Sequence, residues 1–287
     1  MRIYNLHKID SFTNQLFGGN PTAAVVDADT LSDKEMKQIA REMNLSETSF
    51  ILRSDSADFR LRYFTPTGSE IRFCGHATVG ALCTVAKKKL YDCTKPYNQY
   101  RVETNAGILN MAIDLTHDTP RYIIEAPPVE FELSHYEGLS IDETLIDKSK
   151  TVLLEKTNRV LYIVAKNLES LKKLDLTNSN ALEFAKNRNL VLICVFTNET
   201  FDSKNQLHAR GYAPAVGIPE DPFTGSMQAG IARYAIQYNM VPKDSKMLGV
   251  EQGHFLDRPG EVKLEILPDK IRLHAEAKHV YETNITL

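Results

Sequence analysis

One layout of residues occurs twice in this chain, and it limits what the chain can fold into. The first copy runs from Phe64 to Gly80 (FTPTGSEIRFCGHATVG) and the second from Tyr212 to Gly230 (YAPAVGIPEDPFTGSMQAG). Each opens on aromatic-x-Pro and crosses a turn with Gly and acidic residues. Each then reaches a Gly before a polar residue, Gly75-His76 and Gly225-Ser226, with a second Gly five positions on, Gly80 and Gly230. A stretch apolar on nearly every side follows in both. In a chain without membrane spans such a helix has to be buried. The only material available to wrap it is sheet. The expected fold is therefore α/β (α+β), with two pseudo-symmetric domains, each a curled mixed β-sheet around a central buried helix. The halves are expected at 1–116 and 117–277, with a final strand at 278–287 able to return to the first.

Composition supports a core of that size. The chain has 287 residues, 43% hydrophobic and 25% charged, with a net charge of −3 and mixed signs along its length. No basic stripe marks a nucleic-acid or anionic-membrane partner. No apolar run reaches the length of about 18 residues that a membrane span needs. MRIYNLHKID lacks the apolar region of a signal peptide, so a cytoplasmic location is expected. Cys74, Cys83, Cys93 and Cys194 form no C-x-x-C pair and no zinc-finger spacing. Neither a disulfide framework nor a metal site is expected from them.

Along the chain, 2–9 and 22–28 read as strands around a loop at 10–21, where Gly18-Gly19 and Asn20-Pro21 signal turns. Ser32-x-x-Glu35 is a capping box, and Met36, Ile39, Ala40 and Met43 follow at helical spacing, predicting a helix over 33–43. Strands are expected at 45–52 and 58–64, the latter alternating Phe59, Leu61 and Tyr63 with polar neighbours. The first central helix is expected over 77–89, closed by Lys87, Lys88 and Lys89 where positive charge suits the helix dipole. Strands follow at 100–104, 108–114 and 122–127. The spacing then predicts a weak helix at 139–149, a strand at 160–165, short helices at 167–174 and 179–188, and a strand at 190–196. The second central helix is expected at 225–238, a loop at 251–260, and strands at 261–267, 270–277 and 279–285.

The candidate chemistry gathers at the two repeated turns. The first amides of a helix have no partner inside it. At Gly75-His76-Ala77 and Gly225-Ser226-Met227 they are suited to a carboxylate, unless Thr67, Ser69 or Thr224 caps them. His76 sits at the positive end of a dipole, which predicts a neutral ring able to exchange a proton; it also reads as a cap or core histidine. Asp221 and Ser226 read as dipole partner and cap, or as ligand-binding groups. Glu47 lies in a strand-like segment whose pattern points it to solvent; in a cleft, burial would raise its pKa and make it a usable base or acid. Cys74 reads as a small buried residue or as a nucleophile. No P-loop and no dinucleotide fingerprint is present.

These residues have a family look. DSFTNQLFGGNPTAAVV, NLSETSF, YFTPTGSEIRFCGHATVGA, ETNAG, GYAPAVGIPEDPFTGSM and EQGHFLDRPG together resemble the PhzF-like family, the phenazine-biosynthesis isomerases and relatives with the diaminopimelate epimerase fold. The resemblance implies a cofactor-free biosynthetic isomerase, commonly a homodimer, with its site between two domains and no metal. It places catalytic roles on Glu47, His76 and Asp221, and substrate binding on Gly75, Gly225, Ser226 and Asn20. The implied substrate is a small cyclic or amino-acid-like carboxylate, with Glu47 moving a proton between carbons. Diaminopimelate epimerases use two cysteines; here Asp221-Pro222 stands in the second turn, so that activity is not expected. Two rival readings stay open: an amino-acid racemase or epimerase using Glu47 and Cys74 on opposite faces, and a non-catalytic binder of small carboxylates.

Overall fold

The computed structural model describes residues 1–287. The chain divides into two compact units, Met1–Glu125 with His274–Leu287, and Ala126–Leu273. No helix is long and apolar enough to cross a membrane.

In the first unit the order is β1 Ile3–Ser11, β2 Asn20–Val25, α1 Asp33–Met43, β3 Thr48–Leu52, β4 Phe59–Phe64, β5 Glu70–Ile71, α2 Gly75–Lys88, β6 Tyr97–Thr104, β7 Gly107–Asp114 and β8 Arg121–Glu125. The C-terminal strand Ala277–Thr286 pairs antiparallel with β1. β1–β2 and β3–β4 are antiparallel, β2–β3 and β4–β6 parallel. α1 starts on the expected capping box, with Ser32 and Glu35 each accepting from the other's backbone amide. Its Met36, Ile39 and Ala40 pack with Tyr4, Leu6, Val25 and Phe50 in one core cluster. α2 is buried from His76 through Val85 and packs on β1, β2, β3, β4 and β8.

The second unit repeats this connectivity. It runs β9 Phe131–Leu133, β10 Leu153–Glu155, β11 Val160–Val164, α3 Leu168–Lys173, α4 Ser179–Asn187, β12 Leu192–Thr197, β13 Leu207–Ala213, β14 Ile218–Asp221, α5 Gly225–Gln237, β15 Met247–Gln252 and β16 Gly260–Ile266, then into β17 Ile271–Ala275. β10–β11 and β12–β13 are antiparallel, β11–β12 and β13–β15 parallel. α3 and α4 bury Leu171, Ala181 and Phe184 against Leu161, Ile163, Ile193 and Val195 of the sheet. The α+β class and the doubled helix-in-sheet plan are therefore present, strand for strand.

The second glycine of each repeat explains how the helix fits. A Cβ on Gly80 would lie 2.3 Å from Thr22 Cγ2 on β2, and one on Gly230 would lie 2.1 Å from Tyr162 Oη on β11. Real side chains do not approach so closely, so only glycine lets the strand touch the helix backbone. β2 and β11 hold corresponding places in the two units.

Local expectations fail in identifiable places. The stretch 139–149 is not a helix; it holds one short turn, Glu143–Leu145. Asp142 and Asp147 each accept from the backbone amide two residues on, Thr144 and Ser149, which offers the chain a turn in place of helix. The segment 251–260 is not all loop, because Glu251 and Gln252 end β15 with both side chains buried. Their polarity hides a buried strand from pattern reading. The central helix α2 begins two residues earlier than expected, at Gly75, which brings His76 into its first turn.

The glycine contacts are testable. Gly230→Ala and Gly80→Ala are each expected to destabilise the chain by about 1–3 kcal/mol through overpacking, read as a lower urea midpoint. Thr22→Ser, which removes the obstructing Cγ2, should recover part of the Gly80→Ala loss. Unchanged midpoints would show that the helices do not depend on these contacts.

Candidate active site

The first unit brings four of the expected residues together. Gly75 opens α2, His76 follows it, Glu47 lies just before β3, and Asn20 opens β2. His76 Nε2 is 3.1 Å from Glu47 Oε2. His76 Nδ1 is 3.3 Å from Cys74 Sγ and 3.4 Å from Asn20 Nδ2. Cys74 Sγ is also 3.6 Å from Glu47 Oε2. Glu47 is therefore not the solvent-facing carboxylate that its local pattern suggests: its side chain is 12% exposed and that of His76 7%.

The backbone around this group is fixed from several sides. Thr22 Oγ1 donates to the Glu47 carbonyl at 2.8 Å, and Ser11 Oγ donates to the His76 carbonyl at 2.7 Å. Thr78 Oγ1 donates to the Cys74 carbonyl and meets Tyr63 Oη, both at 2.7 Å. Cys74 is the N-cap of α2, and no side chain caps the helix there. Thr65, Thr67 and Ser69 bond among themselves instead. The first-turn amides keep the partial positive charge that favours an anion.

That geometry changes the expected charge of His76. Burial alone would push the ring toward its neutral form. The Cys74 sulfur and the Glu47 carboxylate outweigh burial and hold its pKa well above the ordinary histidine value. Cys74 is itself pushed up, by burial and then by Glu47, against the opposing pull of His76. The thiol is thus neutral near pH 7, which leaves the Glu47 carboxylate as the partner that counts there. The contact with Glu47 thus works against the neutral ring that the helix dipole alone predicts, because a carboxylate in contact acts more strongly than a partial charge at the helix end.

The second unit holds the other expected residues. Asp221 ends β14 and is buried, while Gly225 and Ser226 open α5, with Ser226 exposed. Thr224, the N-cap of α5, makes no cap bond; its Oγ1 donates to Asp221 Oδ2 at 2.6 Å. Gln252 closes this turn, accepting from the Thr224 amide at 3.0 Å and donating to the Asp221 carbonyl at 2.8 Å. Gln228 Nε2 adds a 3.1 Å bond to Gln252 Oε1. A Cβ on Gly211 would lie 2.8 Å from Thr224 Oγ1, so the facing strand position is also restricted to glycine. Thr22, Thr224 and Gln252 are positioning residues that the sequence reading did not single out as such. Only their places in DSFTNQLFGGNPTAAVV, in the second repeated segment and in EQGHFLDRPG could have marked them.

Comparison with known proteins agrees with this arrangement. The chain matches the PhzC-PhzF family, described as phenazine biosynthesis-like protein, over residues 9–283. It is 31% identical to an uncharacterized isomerase of Clostridium acetobutylicum, with 100% of this chain and 99% of the relative covered. An uncharacterized isomerase of Bacillus subtilis is 31% identical, with 90% and 89% covered. A Bacillus anthracis phenazine biosynthesis protein of the PhzF family superposes with a TM-score of 0.89 at 28% identity, all of both chains covered. A hydroxyproline epimerase from Agrobacterium vitis shares the fold, with a TM-score of 0.64 at 10% identity over 99% of this chain and 91% of that one. The doubled helix-in-sheet plan, the residues gathered at α2 and a match over nearly the whole chain together place it in the PhzC-PhzF family of phenazine biosynthesis-like proteins.

Proposed function

We propose that the chain is an isomerase that moves a proton on a small carboxylate substrate by general acid/base catalysis, without a cofactor. The observation that carries this reading is the buried contact of Glu47 with His76 at the uncapped first turn of α2. Glu47, as carboxylate, takes a proton from a carbon next to an electron-withdrawing group. The electron pair left behind moves onto that group as an enolate oxygen. The first-turn amides and the His76 imidazolium stabilise that charge. The proton held by Glu47, or one supplied through His76, then returns at a different carbon. Asn20 and the Gly75 turn hold the substrate's carboxylate in the first unit, and Asp221, Ser226 and the Gly225 turn are the second unit's candidate groups for polar substituents and a carboxylate.

The rival two-base epimerase requires its two groups on opposite faces of one carbon. Glu47 and Cys74 touch at 3.6 Å, a spacing that leaves no room for a carbon between them. The raised thiol pKa also makes Cys74 a poor base near neutral pH. Both facts favour the one-base reading. The binding-protein reading is separated from it by proton exchange alone.

The test is a thermal-shift screen of cyclic and amino-acid carboxylates, followed by NMR of each hit in deuterated water. A hit is expected to exchange a carbon-bound proton. Glu47→Gln should bind that hit and lose the exchange by a factor of about 10²–10⁴, whereas Cys74→Ser should keep most of it. Binding without exchange in the unaltered chain would leave only the binding-protein reading. Exchange lost in Cys74→Ser would restore the two-base epimerase.

The charge of His76 gives a second check. With a raised pKa, its pairing with Glu47 contributes stability fully below the ordinary value of 6.5, and that contribution fades as pH rises through the raised value. An NMR titration should find the His76 ring protonated at pH 7. In Glu47→Gln its pKa should fall, because one of the two groups that oppose burial and the helix dipole is then removed.

A further inference from the structure

The sequence segment EQGHFLDRPG holds two groups that the proton-transfer reading does not use, Glu251 and His254. Glu251 on β15 and His208 on β13 are direct partners in a parallel pair. Both are buried, at 1% and 0% exposure. Glu251 Oε1 accepts from the Asp202 amide at 2.7 Å and from Asn205 Nδ2 at 3.0 Å. Its Oε2 accepts from the Phe201 amide at 2.9 Å and from His208 Nδ1 at 3.0 Å. A carboxylate set among these donors accepts and does not donate, so Nδ1 of His208 carries the hydrogen. The remaining nitrogen of that ring, Nε2, is buried with no partner.

A second orphaned nitrogen lies beside it. His254 follows Gly253 in the turn after β15, and its Nδ1 is also buried without a partner. The two imidazole centroids are 5.0 Å apart. One donor atom from each of His208, Glu251 and His254 lies within 4.8 Å of the others, that of His208 being the Nδ1 that faces Glu251. Phe201 stacks on the His254 ring at 4.5 Å and meets His208 edge-on at 5.3 Å, holding both rings in place. His254 and Phe201 also line a cavity of about 760 Å³, together with Lys172, Glu199 and Asp257.

The equivalent place in the first unit is built differently. Its equivalent strands β4 and β6 pair Arg60 with Glu103 in register. Those side chains form an ion pair at 3.5 Å, 36% and 28% exposed. Ser54 and Ser56 donate to Glu103 much as the 201–202 backbone donates to Glu251. In the second unit a histidine replaces the arginine. The guanidinium offers only donors, one of which, Arg60 Nε, is also buried without a partner, whereas an imidazole can present an acceptor.

We propose that His208 and His254, with Glu251 orienting His208 from behind, form a binding site for a divalent transition-metal cation of the zinc class, beside the cavity that His254 lines. Imidazole nitrogens suit such a cation, and a histidine ligand typically gives its other ring hydrogen to a carboxylate. Two histidines do not fill four positions, so water or a carboxylate from the cavity completes the coordination, as in an open zinc site. The site is separate from the residues assigned to proton transfer and does not depend on that assignment.

The test uses the full chain, stripped with a chelator and titrated with Zn²⁺ by calorimetry and with Co²⁺ by absorption. His254→Gln is the deciding variant, because His254 is partly exposed whereas His208 is fully buried. One Zn²⁺ equivalent and the Co²⁺ band of a nitrogen-ligated site are expected in the unaltered chain and absent from His254→Gln, with its melting temperature without metal unchanged. Glu251→Gln should weaken binding about 10–100-fold. Cys74→Ser and His279→Gln, which break the other two groups of metal-ligating side chains, should leave this equivalent in place. Absence of saturable binding, its persistence in His254→Gln, or its loss in Cys74→Ser would overturn the proposal.

Discussion

Two missing methyl groups set the depth of each central helix in its sheet. Gly80 lets β2 touch α2, and Gly230 lets β11 touch α5; a Cβ on either would overlap a buried side chain. The residue against Gly80 also reaches the candidate chemistry. Thr22 meets the glycine with Cγ2 and holds the Glu47 carbonyl with Oγ1 at 2.8 Å. Helix depth and Glu47 placement are thereby set by one side chain. On the other unit Tyr162 plays a related part, facing Gly230 and donating to the Met227 carbonyl in the first turn of α5 at 2.9 Å. In each case a contact one turn into the helix fixes the turn whose amides are left uncapped.

The sequence carries the scaffold more plainly than the site. The repeated layout is legible because glycine at a close approach and apolar residues on all faces are demands of packing, and packing writes itself into residue type. The capping box at Ser32 and Glu35 is legible for the same reason: one short motif satisfies two amides. Glu47 is not legible locally. Nothing near it in the chain reports that His76 and Cys74, about thirty residues on, will meet its carboxylate; only the family resemblance points there. The charge of His76 fails in the same way, since the helix dipole is a local property and the contact with Glu47 is not. Thr224 and Gln252 are hidden by the opposite effect. They look like ordinary polar loop residues, and their burial becomes visible only once β15 lies beside the turn.

The doubled plan also shows which features belong to the scaffold and which to chemistry. Both units keep the antiparallel and parallel strand pairs, the glycine contact and the uncapped helix start. They differ in what surrounds that start. In the first unit a carboxylate, an imidazole and a thiol touch one another. In the second an aspartate is bound by its neighbouring threonine and braced by two glutamines. The second contains no histidine or cysteine, and its Asp221, Thr224 and Gln252 are bonded to one another.

The same comparison bears on the Arg60–Glu103 and His208–Glu251 pairs. A charged pair at a strand end, partly in water, is retained at little cost. Moving such a pair out of water costs several kcal/mol per ion unless hydrogen bonds replace the lost solvation. Glu251 meets that condition with four donors, and His208 meets it on one nitrogen only. A leucine or phenylalanine at 208 would fill the same buried volume with no orphaned atom, at the loss of one of the four donors to Glu251. The second unit instead keeps a buried carboxylate, a histidine oriented by it and a second histidine at its side. Packing alone does not require that combination, whereas a cation-binding group does.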